Sequence, residues 1–154
     1  MESKVYFIGA GPGDPDLITV KGRDILSKAD VVIYAGSLVS KEHLDYCKED
    51  IEVYNSASMT LKEVIKVIEK AHNENKSIVR LHTGDPSIYG AIKEQMDELD
   101  KLNICYEVVP GVSSFAAAAA SIKKEFTLPG VSQTVILTRV EGRTPVPEKK
   151  IWKF

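Results

Sequence analysis

Short apolar runs, each closed by a loop containing glycine or proline, alternate with helix-like segments along most of this chain. The first run, residues 5–8, leads directly into a loop at residues 9–15 that contains three glycines and two prolines. Apolar runs of this length are typical of strands that are buried on both faces of a parallel sheet. Strands that alternate with helices build such sheets through right-handed crossovers. The pattern therefore predicts an α/β fold with an open, mostly parallel sheet and flanking helices.

Apolar periodicity also predicts where the individual elements lie. Strands are predicted at residues 5–8, 31–34, 51–54, 77–81, 104–109 and 134–138. Helices are predicted at 19–29, 41–47, 60–71 and 116–120, with a further one that carries Ile88, Ile92, Met96 and Leu99. The helix at 60–71 has the clearest signal, because Thr60 and Glu63 match a capping box at its start.

The chain is expected to divide into two parts. Residues 1–129 are predicted to form an N-terminal α/β domain, and residues 130–154 to begin a second domain that is cut short. The run at 134–138 reads as a buried strand with no helix after it to cover it. We therefore expect the second domain to be an incomplete unit.

Composition argues against several classes of function. The 20 Lys and Arg residues against 22 Asp and Glu residues give a net charge of −2, which does not favour binding to nucleic acid. No apolar run is long enough to span a membrane, and the chain enters its first strand without a signal peptide, so a cytoplasmic location is expected. Cys47 and Cys105 lack metal-ligand spacing, and no metal site is predicted.

Three loops, at residues 9–15, 83–86 and 110–114, each follow the carboxyl end of a predicted strand. In open α/β sheets, ligands bind outside the carboxyl ends of the strands. We therefore expect these three loops to converge on one edge of the sheet and to form the binding site.

The first loop differs from a dinucleotide-binding loop. The Gly-x-Gly-x-x-Gly pattern requires glycine where this chain has Asp14, and Pro12 and Pro15 lack the amide donors that a pyrophosphate needs. The chain also lacks the glycine–lysine pattern of a phosphate-binding P-loop. An acidic loop favours a cationic ligand, and S-adenosylmethionine has a sulfonium, an ammonium and a ribose diol that suit carboxylate or carbonyl partners.

Two residues near the second loop leave alternatives open. Asp85 precedes Pro86, so it fits either a helix N-cap or a ligand contact, and the two roles are compatible. His82 lies at a strand end, where it fits either a partly buried residue bonded to backbone or a catalytic base.

The three loops together carry a family resemblance. The runs at 9–15 with 17–19, at 83–86 and at 110–114 resemble the uroporphyrinogen/precorrin methyltransferase family. The further runs at 34–39, 82–92, 133–139 and 141–145 resemble the branch that methylates C11 of a precorrin. The resemblance extends from about residue 5 to residue 148.

The resemblance implies two α/β domains with S-adenosylmethionine in the cleft between them, usually in a homodimer. It implies that the cofactor is bound by Pro12, Gly84, Asp85, Ile88, Tyr89, Ser113 and Ser114. It places a tetrapyrrole substrate near Asp14, which is a candidate catalytic residue. Arg80, Arg139 and Arg143 are candidates for contacts with the carboxylates of the substrate, or else for surface ion pairs or interdomain contacts.

The implied activity is methyl transfer from S-adenosylmethionine to C11 of the macrocycle, in cobalamin biosynthesis. One alternative is a folded fragment of such an enzyme that lacks catalytic activity. Another is a sibling methyltransferase that acts on uroporphyrinogen III. That sibling usually has a Gly-Gly-Asp-Pro loop, whereas this chain has Thr83 before Gly84.

Overall fold

The computed structural model of this protein describes residues 3–138. The backbone divides into two compact units, Met1–Ala118 and Ala119–Phe154. The division predicted at residue 129 stays a prediction. None of the described helices is long and apolar enough to cross a membrane.

The first unit is built on a five-stranded sheet, which confirms the predicted α/β fold. Its strands are β1 (Val5–Gly9), β2 (Val31–Tyr34), β3 (Glu52–Asn55), β4 (Ile78–His82) and β5 (Tyr106–Val109). Their order across the sheet is β3-β2-β4-β1-β5, and every neighbouring pair is parallel. β1 therefore lies between β4 and β5, an arrangement that the linear sequence does not reveal.

Helices connect the strands, and the sheet is covered by apolar residues on both faces. The helices are α1 (Val20–Leu26), α2 (Leu61–Asn73), α3 (Lys93–Lys101) and α4 (Ser114–Ser121), with 3₁₀ turns at Pro15–Leu17, Lys41–Tyr46 and Ser56–Ser58. One core contains Phe7 and Ile33 with Ile68 of α2 and Leu99 of α3. The other contains Ile8, Val32 and Leu81 with Leu26 of α1. Successive residues of a strand alternate between these two cores, as the pleat requires.

The capping box that the sequence predicts at the start of α2 is confirmed. The Thr60 hydroxyl accepts a hydrogen bond from the Glu63 amide, and the Glu63 carboxylate accepts one from the Thr60 amide at 2.7 Å. Two amides that α2 leaves without helical partners are thereby satisfied.

Two predicted elements are wrong. Residues 134–138 do not form a strand, and Val135, Ile136 and Leu137 are 43–46% exposed. An apolar run becomes a strand only when a neighbouring strand accepts its hydrogen bonds, and these residues have none among the described part of the second unit. The helix predicted to carry Ile88 instead begins at Lys93, since residues 86–89 form a turn and residues 90–92 are irregular.

Candidate functional site

The three glycine- and proline-containing loops meet at the carboxyl edge of the sheet, as predicted. They converge because β4, β1 and β5 are neighbours, so the loops that leave these strands are neighbours too. Gly11 and Gly84 exchange two backbone hydrogen bonds, with N···O distances of 3.3 and 2.7 Å. The Ala10 amide also donates to the His82 carbonyl at 2.7 Å.

Glycine is required where the loops approach one another most closely. A Cβ atom on Gly9 would lie 2.5 Å from the Gly84 oxygen and 2.6 Å from the Gly111 Cα. A Cβ atom on Gly111 would collide with the same Gly84 oxygen. The three loops therefore pack backbone against backbone, at a separation that no side chain permits.

Asp85 joins the second loop to the third. Its Oδ1 accepts a hydrogen bond from the Ser87 amide at 2.8 Å, and its Oδ2 accepts one from the Gly111 amide at 3.0 Å. The helix N-cap predicted for Asp85 is wrong, since its side chain closes a turn and no helix starts there. Both carboxylate oxygens already hold backbone donors, and the ligand contact predicted for Asp85 stays a prediction.

The segment that follows Asp85 has an unusual backbone. Tyr89 and Ala91 have φ values of 55° and 50°, in the left-handed region that residues with side chains rarely occupy. Gly90 lies between them, and a Cβ atom there would collide with the Pro86 carbonyl. Ile88 and Tyr89 are 37% and 61% exposed. Two apolar side chains are thus presented to solvent beside the converging loops, where the sequence predicts cofactor contacts.

The other predicted site residues belong to the same loops. Asp14 is exposed, and its Oδ1 accepts a hydrogen bond from the Asp16 amide at 2.9 Å. Pro12 lies in the first loop and is half-buried. Ser113 lies near the second loop, because a Cβ atom on Gly84 would be 3.8 Å from its Cα, and Ser114 begins α4. Their ligand contacts stay predictions.

The charged residues of the three loops are all acidic. Asp14 lies in the first loop and Asp85 in the second, and residues 110–114 carry no charge. These loops contain neither lysine nor arginine. The carboxylate and carbonyl oxygens of these loops suit a cation and not a polyphosphate.

His82 is buried, and this burial bears on both of the roles considered for it. Its Nε2 atom is buried and has no hydrogen-bond partner among the described residues, so the expected bond to backbone is missing there. Burial, with a smaller contribution from the Arg80 charge, lowers the pKa of His82 to about 3. An imidazole with so low a pKa is a poor base near neutral pH.

Arg80 is also buried, so it does not form a surface ion pair. Its Nε donates to Gln95 at 3.1 Å and its Nη1 donates to the Ile33 carbonyl at 3.2 Å. Burial lowers the pKa of Arg80 to about 10, and the guanidinium stays charged at neutral pH. Arg139 and Arg143, the other predicted substrate contacts, lie outside the described residues.

The sequence did not single out His43, although this residue supports the first loop. The imidazole is fully buried, with Nε2 at 2.8 Å from the Ala10 carbonyl oxygen and Nδ1 at 3.1 Å from the Ser40 carbonyl oxygen. The ring therefore connects the 3₁₀ turn after β2 to the start of the loop after β1. The signal of this role is the burial of a polar ring within a short helical segment. Burial is a property of the folded chain, so the sequence alone does not reveal it.

Comparison with known proteins identifies the family of this chain. The sequence profile of the Tetrapyrrole (Corrin/Porphyrin) Methylases matches residues 4–154. The chain belongs to the tetrapyrrole methylase family. The resemblance noted in the three loops is thereby confirmed over nearly the whole sequence.

Several relatives within the tetrapyrrole methylases are similar to this chain. The cobalt-precorrin-4 C(11)-methyltransferase of Methanocaldococcus jannaschii is 64% identical over 96% of this chain and 57% of its own length. The enzyme of the same name from Priestia megaterium is 55% identical over 94% of this chain and 56% of its own length. This chain therefore spans little more than half the length of the curated relatives it matches.

Solved structures show the same likeness. A cobalt precorrin-4 methyltransferase superposes with a TM-score of 0.90 at 55% identity, over 94% of this chain and 61% of that one. The uroporphyrin-III C-methyltransferase of Thermus thermophilus, solved in complex with S-adenosylhomocysteine, superposes with a TM-score of 0.70 at 30% identity. That match covers 86% of this chain and 53% of the other.

Proposed function

We propose that this chain forms the N-terminal half of a methyltransferase that transfers a methyl group from S-adenosylmethionine to C11 of precorrin-4 or cobalt-precorrin-4, in cobalamin biosynthesis. The relatives named as C(11)-methyltransferases of precorrin-4 or cobalt-precorrin-4 are up to 64% identical to this chain, over 96% of its length. The sibling uroporphyrinogen-III C-methyltransferase of Methanocaldococcus jannaschii is 44% identical over 76% of it. The difference in identity and coverage favours the precorrin-4 reaction over the sibling reaction.

The observation that carries the proposal is the convergence of three loops with only acidic charges. The backbone pair between Gly11 and Gly84 and the Asp85 bond to Gly111 hold these loops together. This arrangement favours a cationic ligand, and S-adenosylmethionine supplies a methyl group on a sulfonium cation. The likeness to a protein solved with S-adenosylhomocysteine supports the same ligand class.

The residues of this chain would act mainly by positioning. Methyl transfer from a sulfonium to an electron-rich carbon neutralises charge, so alignment and desolvation should dominate the barrier. We propose that Pro12, Gly84, Asp85, Ile88, Tyr89, Ser113 and Ser114 contact the cofactor. Asp14, which is exposed at the end of the first loop, would face the tetrapyrrole. The low pKa of His82 argues against a base at that position.

The organisation of the whole enzyme is also proposed from the family. Residues 130–154 would begin a second domain, which would provide the other wall of the cofactor cleft. The assembled enzyme would be a cytoplasmic homodimer acting on a tetrapyrrole, without nucleic acid or membrane partners.

Calorimetric titration of S-adenosylhomocysteine into the 154-residue chain tests the proposed half-site. We expect micromolar binding, and we expect Asp85→Asn to weaken it about tenfold, because an amide cannot accept both backbone hydrogen bonds that Asp85 now holds. Asp24→Asn is the matched control, since Asp24 is an exposed acid of α1 outside the three loops. It should leave the affinity unchanged.

The other outcomes of this titration are equally informative. A folded chain that does not bind S-adenosylhomocysteine would favour the alternative of a non-catalytic fragment. Binding of NAD or ATP in its place would contradict the proposed ligand class. Equal weakening by Asp85→Asn and Asp24→Asn would show that general charge, and not the loop junction, determines the affinity.

A further inference from the structure

A small cavity lies at the carboxyl edge of the sheet, between the segment after β2 and the segment after β4. Its volume is about 100 Å³, which is room for about three water molecules at roughly 30 Å³ each. Ala35 and Leu38 line it from the β2 side, and Arg80, His82 and Tyr89 line it from the β4 side. All of these residues belong to the first unit.

The cavity has a buried positive charge on its wall. Arg80 is 9% exposed, and its two hydrogen bonds go to neutral oxygens, those of Gln95 and Ile33. Among residues 3–138 it has no ion pair with a carboxylate, whereas the ion pairs in that range belong to exposed or half-buried side chains. A buried guanidinium is costly unless an anion compensates it, and the hydrogen-bond partners of this one among the described residues are neutral.

A second buried polar residue, His82, lines the same cavity. His82 is 8% exposed, and its Nε2 atom lacks a hydrogen-bond partner within the described part of the chain. Arg80 and His82 are two residues apart on β4, so their side chains emerge on the same face of the sheet. Phe7 packs beside His82, with 5.9 Å between ring centroids, and gives the imidazole an apolar neighbour on β1.

We propose that this cavity is a carboxylate-binding site in which the Arg80 guanidinium supplies the charge and His82 forms part of the wall. A carboxylate is small enough for the cavity, and its two oxygens match the planar donors of a guanidinium. We assign the site to an acidic side chain of the tetrapyrrole substrate, and this assignment rests on the proposed function.

Nuclear magnetic resonance on the unmodified 154-residue chain tests the site without requiring a variant to fold. Sodium acetate is titrated at pH 7 against sodium chloride at equal ionic strength, and the side-chain Nε–H signal of Arg80 is followed. We expect saturable shifts of Arg80 and His82 with acetate and only small, linear shifts with chloride. Propionate should give the same saturable behaviour.

Two variants sharpen the test. Arg80→Gln should weaken acetate binding, read from the His82 ring signals, by about tenfold or more, since it removes the only charge among the described residues that line the cavity. Arg23→Gln is the matched control, because Arg23 is an exposed arginine of α1 whose ion pair is with Asp24. It should leave acetate binding unchanged.

The outcomes separate this proposal from the proposed function. Acetate shifts that do not saturate, or that chloride reproduces, would overturn the carboxylate site even if S-adenosylhomocysteine binds normally. Saturable acetate binding that Arg80→Gln leaves intact would overturn the role of Arg80. The chain could also bind acetate saturably and through Arg80 yet fail to bind S-adenosylhomocysteine. That result would support the carboxylate site and would contradict only the proposed cofactor half-site.

Discussion

Replacing Gly9 with alanine is expected to destabilise the first unit by about 3 kcal/mol or more. The new Cβ would lie 2.5 Å from the Gly84 oxygen and 2.6 Å from the Gly111 Cα, and both are backbone atoms that cannot rotate away. Forcing an extra methyl group into a packed region typically costs about 1–3 kcal/mol and more where the backbone must move. Urea unfolding, followed by circular dichroism, measures the loss.

Gly84→Ala is the matched control for this substitution. A Cβ at Gly84 would meet its nearest atom, the Ser113 Cα, at 3.8 Å, which is an ordinary contact. Its φ of +60° is left-handed, so alanine there should cost only about 1–2 kcal/mol of backbone strain. If Gly9→Ala proved no more destabilising than Gly84→Ala, close packing of the three loops would not be what requires Gly9.

Acidification is expected to lower the free energy of unfolding, because the unfolded chain protonates His82 at a higher pH than the folded chain does. Burial first, and the Arg80 charge second, lower the pKa of His82 from 6.5 to about 3 in the folded chain. Above pH 6.5 the imidazole is neutral in both the folded and unfolded states. Below it the unfolded chain takes up a proton that the folded chain does not, so stability falls by up to about 1.4 kcal/mol per pH unit. The contribution is lost progressively as the pH falls from 6.5 towards 3.

Comparison of the free energy of unfolding at pH 6.5 and pH 4.5 measures this effect. A carboxyl group with a lowered pKa affects the free energy of unfolding mainly below this pH range. Hydrogen bonds from Lys21 and Lys4 hold the pKa of Glu107 at about 2, so the stability that Glu107 contributes is lost as the pH falls below about 4.5. His82→Gln should lose less stability than the unmodified chain over the same interval. A titration of the His82 ring signals that showed protonation near pH 6 would contradict the prediction.

Part of the candidate site could be predicted from the sequence because its signals are local. The glycines and prolines of the three loops, and their acidic charge, are visible without knowledge of the fold. Parallel pairing then places the loops at one edge of the sheet. The capping box of α2 is equally local, since Thr60 and Glu63 contact each other across a single turn.

The rest of the site depends on contacts between residues far apart in the sequence. Arg80 and His82 are buried because β4 lies between β1 and β2, and His43 reaches Ala10 because the turn after β2 packs on the first loop. Asp85 bonds to Gly111, 26 positions along the chain, and not to a helix of its own. Periodicity carries no information about such pairings.

The sequence by itself therefore determined the α/β class, the positions of the loops and the sign of their charge, because each follows from residues adjacent in the chain. Only the tertiary structure decided that β1 lies between β4 and β5, that residues 134–138 form no strand, and that Arg80 and His82 share a cavity. Strand order, strand formation and burial all depend on which distant segments supply hydrogen bonds and exclude water.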